Sequence, residues 1–178
     1  MSSARIRPAR PDELVRLQAI EEAAGALFAT VGMPEVDAAE PVPLGRLEDA
    51  RQEGRLWVAA DAADRPVGFA LVETVDGEPH LKEVDVHPDH GRRGVGRRLV
   101  EHVLARARAE GAAGVTLTTY RDVAWNAPFY RRLGFRELPE PALGPGLARI
   151  RRLERERGLD AAGPRVAMRR TLDPADPA

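Results

Sequence analysis

The chain of 178 residues is long enough for one domain with a substantial core. Apolar residues make up 43% and charged residues 31%, which is the balance of an ordinary globular protein. The formal net charge of −1 argues against the broad basic field that nucleic-acid binding requires. Cysteine is absent, which excludes disulfides, thiolate catalysis and cysteine metal ligands.

The polar N-terminal residues and the hydropathy of the whole sequence bear on whether the protein is secreted, membrane-bound or cytoplasmic. The first ten residues, MSSARIRPAR, lack the apolar core of a signal peptide. No apolar run approaches the roughly 20 residues that span a bilayer. The lack of cysteine suits a reducing environment. We therefore expect a soluble, cytoplasmic protein with no membrane partner.

The first third of the chain predicts a strand, two helices and an antiparallel hairpin. Leu14, Leu17, Ile20, Ala24 and Leu27 recur at the spacing of one helical face. Two apolar runs separated by AADR have the form of a hairpin. In chain order we expect a strand at 4–9, a helix at 11–28, a loop at 29–43, a short helix at 44–54, and strands at 55–61 and 66–75.

The rest of the chain predicts a parallel pair of strands joined by a long helix. We expect a strand at 79–88, a helix from about Gly94 to Glu110, a strand at 114–119, a short helix at 126–134, a strand at 134–138, a helix at 144–160 and a strand at 165–172. A strand, helix and strand of this length form a right-handed crossover with parallel strands. The fold class is therefore α/β. Its mixed sheet is antiparallel at first and has a central parallel pair, and a helical insertion at 138–164 precedes the last strand.

The segment HPDHGRRGVGRRL, residues 87–99, lies where the fourth strand turns into the long helix. A helix start exposes unpaired backbone N–H groups and the positive end of the helix dipole. Glycines let such amides approach an anion closely, and four arginines add positive charge: Arg92, Arg93, Arg97 and Arg98. The spacing matches neither a Walker loop nor a dinucleotide fingerprint. The segment predicts a phosphate or pyrophosphate site, and the alternative is a helix start with solvated arginines.

VDVHPDHGRRGVGRRLVEHVLARA, followed by NAPFYRRLGF, resembles the acetyl-CoA-binding core of the GCN5-related N-acetyltransferases (GNAT). Gly91, Gly94 and Gly96 occupy the three fixed positions of the family's loop motif, and Gly91 replaces its usual polar residue. The resemblance is strongest over residues 81–137 and implies one GNAT-like domain at 1–172, followed by a disordered Pro-rich tail at 173–178. It also implies cofactor-binding residues, which are Val84, Asp85, Val86, Arg92, Arg93, Gly94, Val95, Gly96, Arg97 and Asn126. An amide near Val86 would stabilise the oxyanion.

Strand alternation places Glu83 and Asp85 on one face of the fourth strand. A central parallel strand is normally buried on both faces, so carboxylates there suggest a functional role. An attacking amine must lose a proton, and desolvation raises a carboxylate pKa towards a useful value. Glu83 is our first candidate for the base; Asp85 or water alone are the alternatives. The alternative is a purely structural role, in which the Glu83 carboxylate pairs with Lys82 or a nearby arginine. The glutamate that some relatives carry at the end of strand five is absent, because Thr118, Thr119, Tyr120 and Arg121 stand there.

Tyr130 in FYRRLGF matches the tyrosine that often protonates the leaving thiolate in this family. Asn126 resembles the family's pantetheine-binding asparagine, although four residues separate it from Tyr130 where seven are usual. Strict alignment puts Val123 in the asparagine position, and Asn126 would then cap the helix. We expect Trp125 and Phe129 to belong to the core.

The acceptor is less defined than the donor. Glu35, Asp37 and Glu40 in the first loop favour a cationic or amine-bearing acceptor, unless they are only solvated. The arginines of the insertion helix alternate with Glu154 and Glu156, which is typical of a solvated face. The four histidines, which are His80, His87, His90 and His102, show no metal-ligand spacing, so we expect no metal.

These observations predict an N-acetyltransferase that moves acetyl from acetyl-CoA to a primary amine of a small molecule by direct attack. The alternatives are an enzyme for protein or peptide amines and a non-catalytic acyl-CoA sensor. Nucleic acid is disfavoured as a partner by the neutral charge. We expect a monomer or a homodimer.

Overall fold

Seven strands form one mixed sheet in the order β1-β2-β3-β4-β5-β7-β6 in the computed structural model, which describes residues 4–37 and 40–172. The strands are β1 Arg5–Pro8, β2 Leu56–Ala60, β3 Pro66–Val75, β4 Glu78–Val86, β5 Gly114–Tyr120, β6 Arg136–Leu138 and β7 Arg165–Thr171. β1, β2 and β3 pair antiparallel, whereas β4 and β5 pair parallel. The predicted mixed α/β sheet with its central parallel pair is confirmed.

The helices are α1 Leu14–Gly25, α2 Pro34–Asp37, α3 Leu44–Gln52, α4 Val95–Ala109, α5 Ala127–Arg132, α6 Pro145–Glu156 and α7 Leu159–Ala162. Short 3-10 helices lie at Pro11–Glu13, Ala26–Val31, Pro88–His90 and Glu140–Ala142. The prediction of a plain loop over 29–43 is wrong, because it contains the end of a 3-10 helix and all of α2. Pro34 starts α2, where the fixed φ of proline favours the first helical turn. No helix in the described part of the chain is long and apolar enough to cross a membrane.

The described residues divide into two compact units. The first unit comprises residues 4–37, 40–73 and 82–103, and the second comprises 74–81 and 104–172. The expected single domain over 1–172 stays a prediction, and the expected disordered tail lies outside the described residues.

The core of the first unit lies between α1, α3 and the antiparallel strands β2 and β3. Its buried side chains include Leu17, Ile20, Leu47, Val58 and Phe69. The strand register places Leu56 opposite Leu71 and is interrupted between Ala59 and Ala60. Of the residues that the sequence assigned to the inner face, Leu14, Leu17 and Ile20 are buried, whereas Ala24 and Leu27 are half-buried and Leu27 lies in the 3-10 helix after α1.

The long helix α4 buries one apolar stripe. The inner-face residues expected from the sequence are all buried: Leu99, Val100, Val103, Leu104 and Ala107. The helix starts one residue later than predicted, at Val95, because Gly94 has a left-handed backbone with φ of +77°. A helical residue needs a negative φ, so the turn ends there.

The second unit is built on β5 and its antiparallel neighbour β7, with β6 on the outer side of β7. Gly114 lies opposite Thr171, and Tyr120 lies opposite Arg165. The parallel pairing of β4 with β5 places His80 opposite Thr116, and the two side chains approach to 2.9 Å between Nδ1 and Oγ1.

The predicted insertion before β7 is confirmed as helical and is attached through the start of α6. Asp76, in the turn between β3 and β4, accepts hydrogen bonds from the amides of Gly146 at 2.7 Å and Leu147 at 3.0 Å. A side chain at Gly144 would meet Asp76 Oδ2 at 2.5 Å. The absence of a Cβ therefore lets the carboxylate reach the free amides at the helix start.

The expectation that the charged residues of α6 form a solvated face is wrong for Arg151 and Glu154. Arg151 is 3% exposed, and it binds Glu154 and Asp160. Glu154 is 8% exposed and also accepts hydrogen bonds from Arg165 at 2.9 Å and Thr118 at 2.5 Å. Burial opposes the ionisation of Glu154, but the Arg165 charge and these hydrogen bonds hold the pKa of its carboxyl below the ordinary value. Ion pairing makes burial of these charges possible.

Candidate functional site

The turn between β4 and α4 has the backbone shape that an anion site needs. It begins with a 3-10 turn at Pro88–His90, in which the amide of His90 donates to the His87 carbonyl at 2.8 Å. Arg92 and Gly94 both adopt left-handed backbone, with φ of +56° and +77°. Left-handed residues interspersed in a turn aim successive amides towards one side, which forms a concavity for an anion.

The start of α4 supplies free amides to the same turn. The amide of Arg98 donates to the Gly94 carbonyl at 3.1 Å, which closes the first helical turn. The amides that precede Arg98 in the helix have no intrahelical acceptor. The side chains of Arg92 and Arg93 are exposed, whereas Arg97 pairs with Glu101 at 2.7 Å. The structure thus places the predicted residues Arg92, Arg93, Gly94, Val95, Gly96 and Arg97 together around one helix start, where an anion is stabilised.

The carboxyl end of β4 leads directly into this turn. The amide of His87 donates to the Val67 carbonyl of β3 at 2.9 Å. Successive amides of an extended chain point to opposite sides, so the Val86 amide points away from β3. The role of the Val86 amide as a donor to the oxyanion stays a prediction. Val84, Asp85 and Val86 are half-buried.

Gly68 in β3 is a residue that the sequence analysis missed. A Cβ at this position would meet the Asp85 carbonyl at 2.8 Å and Val86 Cγ2 at 3.1 Å. Only glycine therefore allows β3 to approach β4 so closely at the two cofactor-binding candidates. A lone glycine inside the apolar run PVGFALV is the signal that indicates such an approach.

Glu83 and Asp85 have different surroundings on β4. Lys82 Nζ lies 3.6 Å from Glu83 Oε1, and both side chains are partly exposed, so the pairing considered in the sequence analysis is present. Asp85 as a whole is half-buried, but its Oδ2 atom is closed to solvent and has no hydrogen-bond partner among the described residues. Burial, followed by the Glu83 and Glu21 charges, raises the pKa of the Asp85 carboxyl well above its ordinary value.

Glu21 of α1 is a third carboxyl group near this end of β4. The Val42 amide donates to both of its oxygens, at 3.0 and 3.1 Å. Burial and the Glu83 charge raise the pKa of Glu21 to about 7, although this hydrogen bond and the Lys82 charge oppose the shift. The sequence analysis missed Glu21. The available signal is its position four residues after the buried Leu17, which puts a carboxylate on the inner side of the helix.

The second unit holds the other two predicted site residues, Asn126 and Tyr130. Tyr130 lies in α5, and its half-buried ring contacts Phe129 and Phe135 edge-to-face at centroid distances of 5.1 and 5.7 Å. Asn126 precedes α5, and its carbonyl accepts from the amides of Phe129 and Tyr130. The Asn126 side chain makes no capping hydrogen bond, so the expected side-chain cap is not formed.

Two further expectations for this segment have different outcomes. Trp125 is 38% exposed, which contradicts the expected place in the core; Phe129 is half-buried. Val123, which strict alignment puts in the asparagine position, is buried and apolar. It offers no polar side-chain group to a ligand.

One of the three acidic residues predicted to favour a cationic acceptor has a described side chain. Glu40 is exposed, and the side chains of Glu35 and Asp37 lie outside what the structure describes. Within the described residues, no group of three or more His, Asp or Glu side chains is arranged to hold a metal ion.

The sequence from 52 to 137 matches the acetyltransferase (GNAT) domain family. The peptidyl-lysine N-acetyltransferase YjaB of Salmonella typhimurium is 34% identical over 90 residues, which cover 51% of this chain and 56% of that protein. The mycothiol acetyltransferase of Nocardiopsis dassonvillei is 36% identical over 113 residues, which cover 50% of this chain and 34% of that protein. The chain thus spans about half or less of the length of these two relatives.

The fold is shared over nearly the whole chain with solved acetyltransferases. The PaiA N-acetyltransferase of Thermoplasma acidophilum, solved in complex with coenzyme A, superposes with a TM-score of 0.71 at 13% identity. The match covers 96% of this chain and 100% of that one. The seven-stranded mixed sheet and the glycine-rich turn at the start of α4 agree with these comparisons, in which residues 52–137 match the acetyltransferase (GNAT) domain family and nearly the whole chain shares its fold with a solved N-acetyltransferase.

Proposed function

We propose that the protein is an N-acetyltransferase that transfers the acetyl group of acetyl-CoA to a primary amine. The observation that carries this proposal is the turn at 91–97, where two left-handed residues and the start of α4 present free amides beside exposed arginines. These groups suit the pyrophosphate of coenzyme A, because amides and guanidinium groups are the preferred donors to phosphate oxygens. No metal is needed for this chemistry.

The reaction we propose is direct attack of the amine nitrogen on the thioester carbonyl. The amine forms the new C–N bond and loses a proton, and the C–S bond breaks to release the thiolate of CoA. The Val86 amide points away from β3 and is the candidate donor to the oxyanion. Val84 and Asp85 offer the backbone of the same strand to the pantetheine arm, as the family resemblance implies.

Glu83 is the proposed proton acceptor for the incoming amine, and Tyr130 is the proposed proton donor to the thiolate. The partial exposure of Glu83 supports a route through water, since solvent can reach its carboxylate. Its pairing with Lys82 is not a buried salt bridge, and so does not favour a sensor without turnover. Asn126 stays a candidate contact to pantetheine through its side chain.

A primary amine of a small molecule is the acceptor we propose. The name of the mycothiol acetyltransferase relative supports a small-molecule acceptor. The name of the peptidyl-lysine N-acetyltransferase relative favours the second candidate, a protein or peptide amine. The cytoplasmic location, the lack of a nucleic-acid or membrane partner and the monomeric or homodimeric state stay predictions.

The test is an acetyl-transfer assay with acetyl-CoA and two amine pools, one of small amines and one of lysine-containing peptides, analysed by mass spectrometry. We expect acetylated products from the small amines and a fall of about two to four orders of magnitude in turnover for Glu83→Gln. Calorimetry should show CoA binding unchanged in that variant. Glu110→Gln, an exposed carboxylate just after α4 that pairs with Arg106, is the matched control.

Two outcomes would count against the proposal. CoA binding without acetyl transfer to either pool would favour the sensor, and transfer to peptides alone would favour the second acceptor class. An unchanged pH–rate profile in Glu83→Gln would move the base to Asp85 or to water.

A further inference from the structure

The short helix that carries Tyr130, α5, ends in a defined cap. Gly134 follows the helix with left-handed backbone at φ of +84°, and its amide donates to the Arg131 carbonyl at 3.0 Å. The amide of Phe135 donates to the Tyr130 carbonyl at 3.1 Å. These two hydrogen bonds define a Schellman motif, in which the left-handed residue is most often glycine. The helix end is therefore specified by the same residues that carry Tyr130.

The cap pairs Tyr130 with Phe135 directly. The carbonyl of Tyr130 accepts from the Phe135 amide, and residues at these two positions of a Schellman motif frequently make an apolar contact. That contact is present, because the two rings meet edge-to-face at a centroid distance of 5.7 Å. Phe135 is 2% exposed. The Tyr130 ring therefore packs against a side chain that the core holds in place.

A side chain from β7 completes the end of α5. The last carbonyl groups of a helix have no intrahelical donor and need another partner. Arg170 Nη1 donates to the Leu133 carbonyl at 2.6 Å, and Arg170 is half-buried. A cation at the carboxyl end of a helix also interacts favourably with the helix dipole. Arg170 thus attaches the end of α5 to the sheet within the second unit.

The position of Tyr130 depends on these contacts because α5 is short. The helix has six residues, whereas isolated helices of fewer than about 12 residues are marginal in water. A proton donor must lie within hydrogen-bond reach of its acceptor, and a small displacement reduces the rate of proton transfer. The contacts at the helix end therefore bear on the chemistry of the Tyr130 hydroxyl.

We infer that Phe135 and Arg170 are positioning residues for Tyr130 in acetyl transfer. This inference rests on the proposed function, in which the Tyr130 hydroxyl gives its proton to the thiolate of CoA as the C–S bond breaks. Phe135 fixes the direction of the ring by packing. Arg170 fixes the helix end through the Leu133 carbonyl. Both residues act through Tyr130 and have no contact with the reacting atoms in this mechanism.

A cap that only stabilises the fold differs from a positioning cap in one measurable way. Two residues that act as a unit give non-additive effects in a double-mutant cycle. If Arg170 acts through the Tyr130 hydroxyl, its removal should have no further effect on kcat once that hydroxyl is absent. A purely structural role would lower the midpoint of unfolding equally in both backgrounds and would not depend on the hydroxyl.

The first experiment measures kcat and the KM for acetyl-CoA in the wild type, Arg170→Ala, Tyr130→Phe and the double variant. We expect Arg170→Ala to lower kcat about three- to tenfold with little change in KM, as for removal of one hydrogen bond. In the Tyr130→Phe background the same substitution should leave kcat within about 1.5-fold. Arg170→Lys keeps an N–H donor and should restore most of the lost kcat. Arg136→Ala, at an exposed arginine of β6, is the matched control.

The second experiment is independent of turnover. The chain has two tyrosines, Tyr120 and Tyr130, so isotope-labelled tyrosine rings can be followed one by one by NMR, and Tyr130→Phe assigns the signals. Arg170→Ala and Phe135→Leu should each shift the Tyr130 signals and leave the Tyr120 signals in place. Thermal unfolding identifies a variant that fails to fold, and the two substitutions are independent tests.

Several results would overturn the inference. Unchanged Tyr130 signals in both variants, or an unchanged kcat in Arg170→Ala, would do so and leave acetyl transfer intact. An equal loss of kcat from Arg170→Ala with and without the Tyr130 hydroxyl would show a structural cap. Full activity of Tyr130→Phe would remove the donor role together with the inference, while acetyl transfer itself stands. No transfer by the wild type to either amine pool would overturn the proposed function and the inference together.

Discussion

Gly94 is the last residue of the turn that connects β4 to α4. Gly94 has φ of +77°, and a Cβ built on it would meet no heavy atom within 4 Å. The restriction there is therefore conformational and not steric. Arg92, at φ of +56°, has the same backbone with a full side chain, which is uncommon outside asparagine and aspartate. Left-handed backbone at Arg92 costs conformational energy, and such strained residues cluster at functional sites. Here the conformation places backbone amides around the proposed anion site.

Gly94→Asp should weaken CoA binding by about fivefold or more. A negative charge about 4 Å from the pyrophosphate costs about 1–4 kcal/mol. Gly94→Asn is the matched control, because asparagine tolerates left-handed backbone as well as aspartate does and carries no charge. Calorimetric titration with CoA measures both variants. Affinities for the aspartate and asparagine variants within about twofold of each other would show that no anion binds near residue 94.

Glu21 should make the stability of the folded protein depend on pH. Its folded pKa of about 7 lies above the ordinary value of 4.5, so the folded state binds this proton more tightly than the unfolded state. Stability must then fall as pH rises from about 4.5 to 7. Glu21→Gln removes this loss, whereas Glu22→Gln should keep it. Denaturant unfolding across this pH range gives both curves, and a constant difference between wild type and Glu21→Gln would contradict the assignment.

At the scale of elements, α6 is attached to the rest of the second unit at its start and at its middle. Asp76 holds the amides at its start, and Arg151 connects its middle to Asp160 of α7 and to the Arg165 carbonyl of β7. The ring of Tyr120 lies 4.5 Å from the Arg165 guanidinium and adds a cation–π contact. The inserted helix is thus fixed by polar groups that converge from four separate elements or turns.

Arg151→Ala should destabilise the protein by about 3–5 kcal/mol, because it leaves Glu154 buried with less compensation. Arg152→Ala is the matched control on the same helix, since Arg152 is 64% exposed and lies 3.9 Å from Glu156. Exposed substitutions of that kind change stability by about 0.5 kcal/mol or less. Thermal and denaturant unfolding measure both variants. Equal midpoints for the two would show that the buried network contributes no more than a surface pair.

For the whole molecule, binding of the proposed cosubstrate should increase the stability of the folded state. A ligand that binds only the folded state stabilises it by about 2.7 kcal/mol at 100 times Kd. For a chain of this size, each kcal/mol raises Tm by about 2–4 °C. CoA at that concentration should therefore raise Tm by roughly 5–10 °C, as measured by scanning calorimetry. The Gly94→Asp variant should show a much smaller rise, and an unchanged wild-type Tm at millimolar CoA would argue against CoA as the cosubstrate.

Local patterns in the sequence were sufficient for much of the fold. The apolar spacing in α1 and α4 identified Leu17 and Leu99 as inner-face residues, and both are buried. The glycines and arginines around Gly94 predicted an anion-binding turn at a helix start, and the backbone there has that shape. These features depend on residues close in sequence, because helical periodicity and turn conformation are set by neighbours along the chain.

Tertiary structure alone decided which distant residues meet. The order of the strands places β7 between β5 and β6, and no local pattern specifies that order. The sequence pattern of α6 predicts that Glu154 lies on a solvated face, but in the structure Thr118 of β5 and Arg165 of β7 donate hydrogen bonds to it. Glu21 acquired its raised pKa only through burial and the Glu83 charge on a distant strand. Helical periodicity predicts that a residue faces the core. Which charged side chains lie next to it there depends on the pairing of strands that are distant in sequence, and no local sequence pattern specifies that pairing.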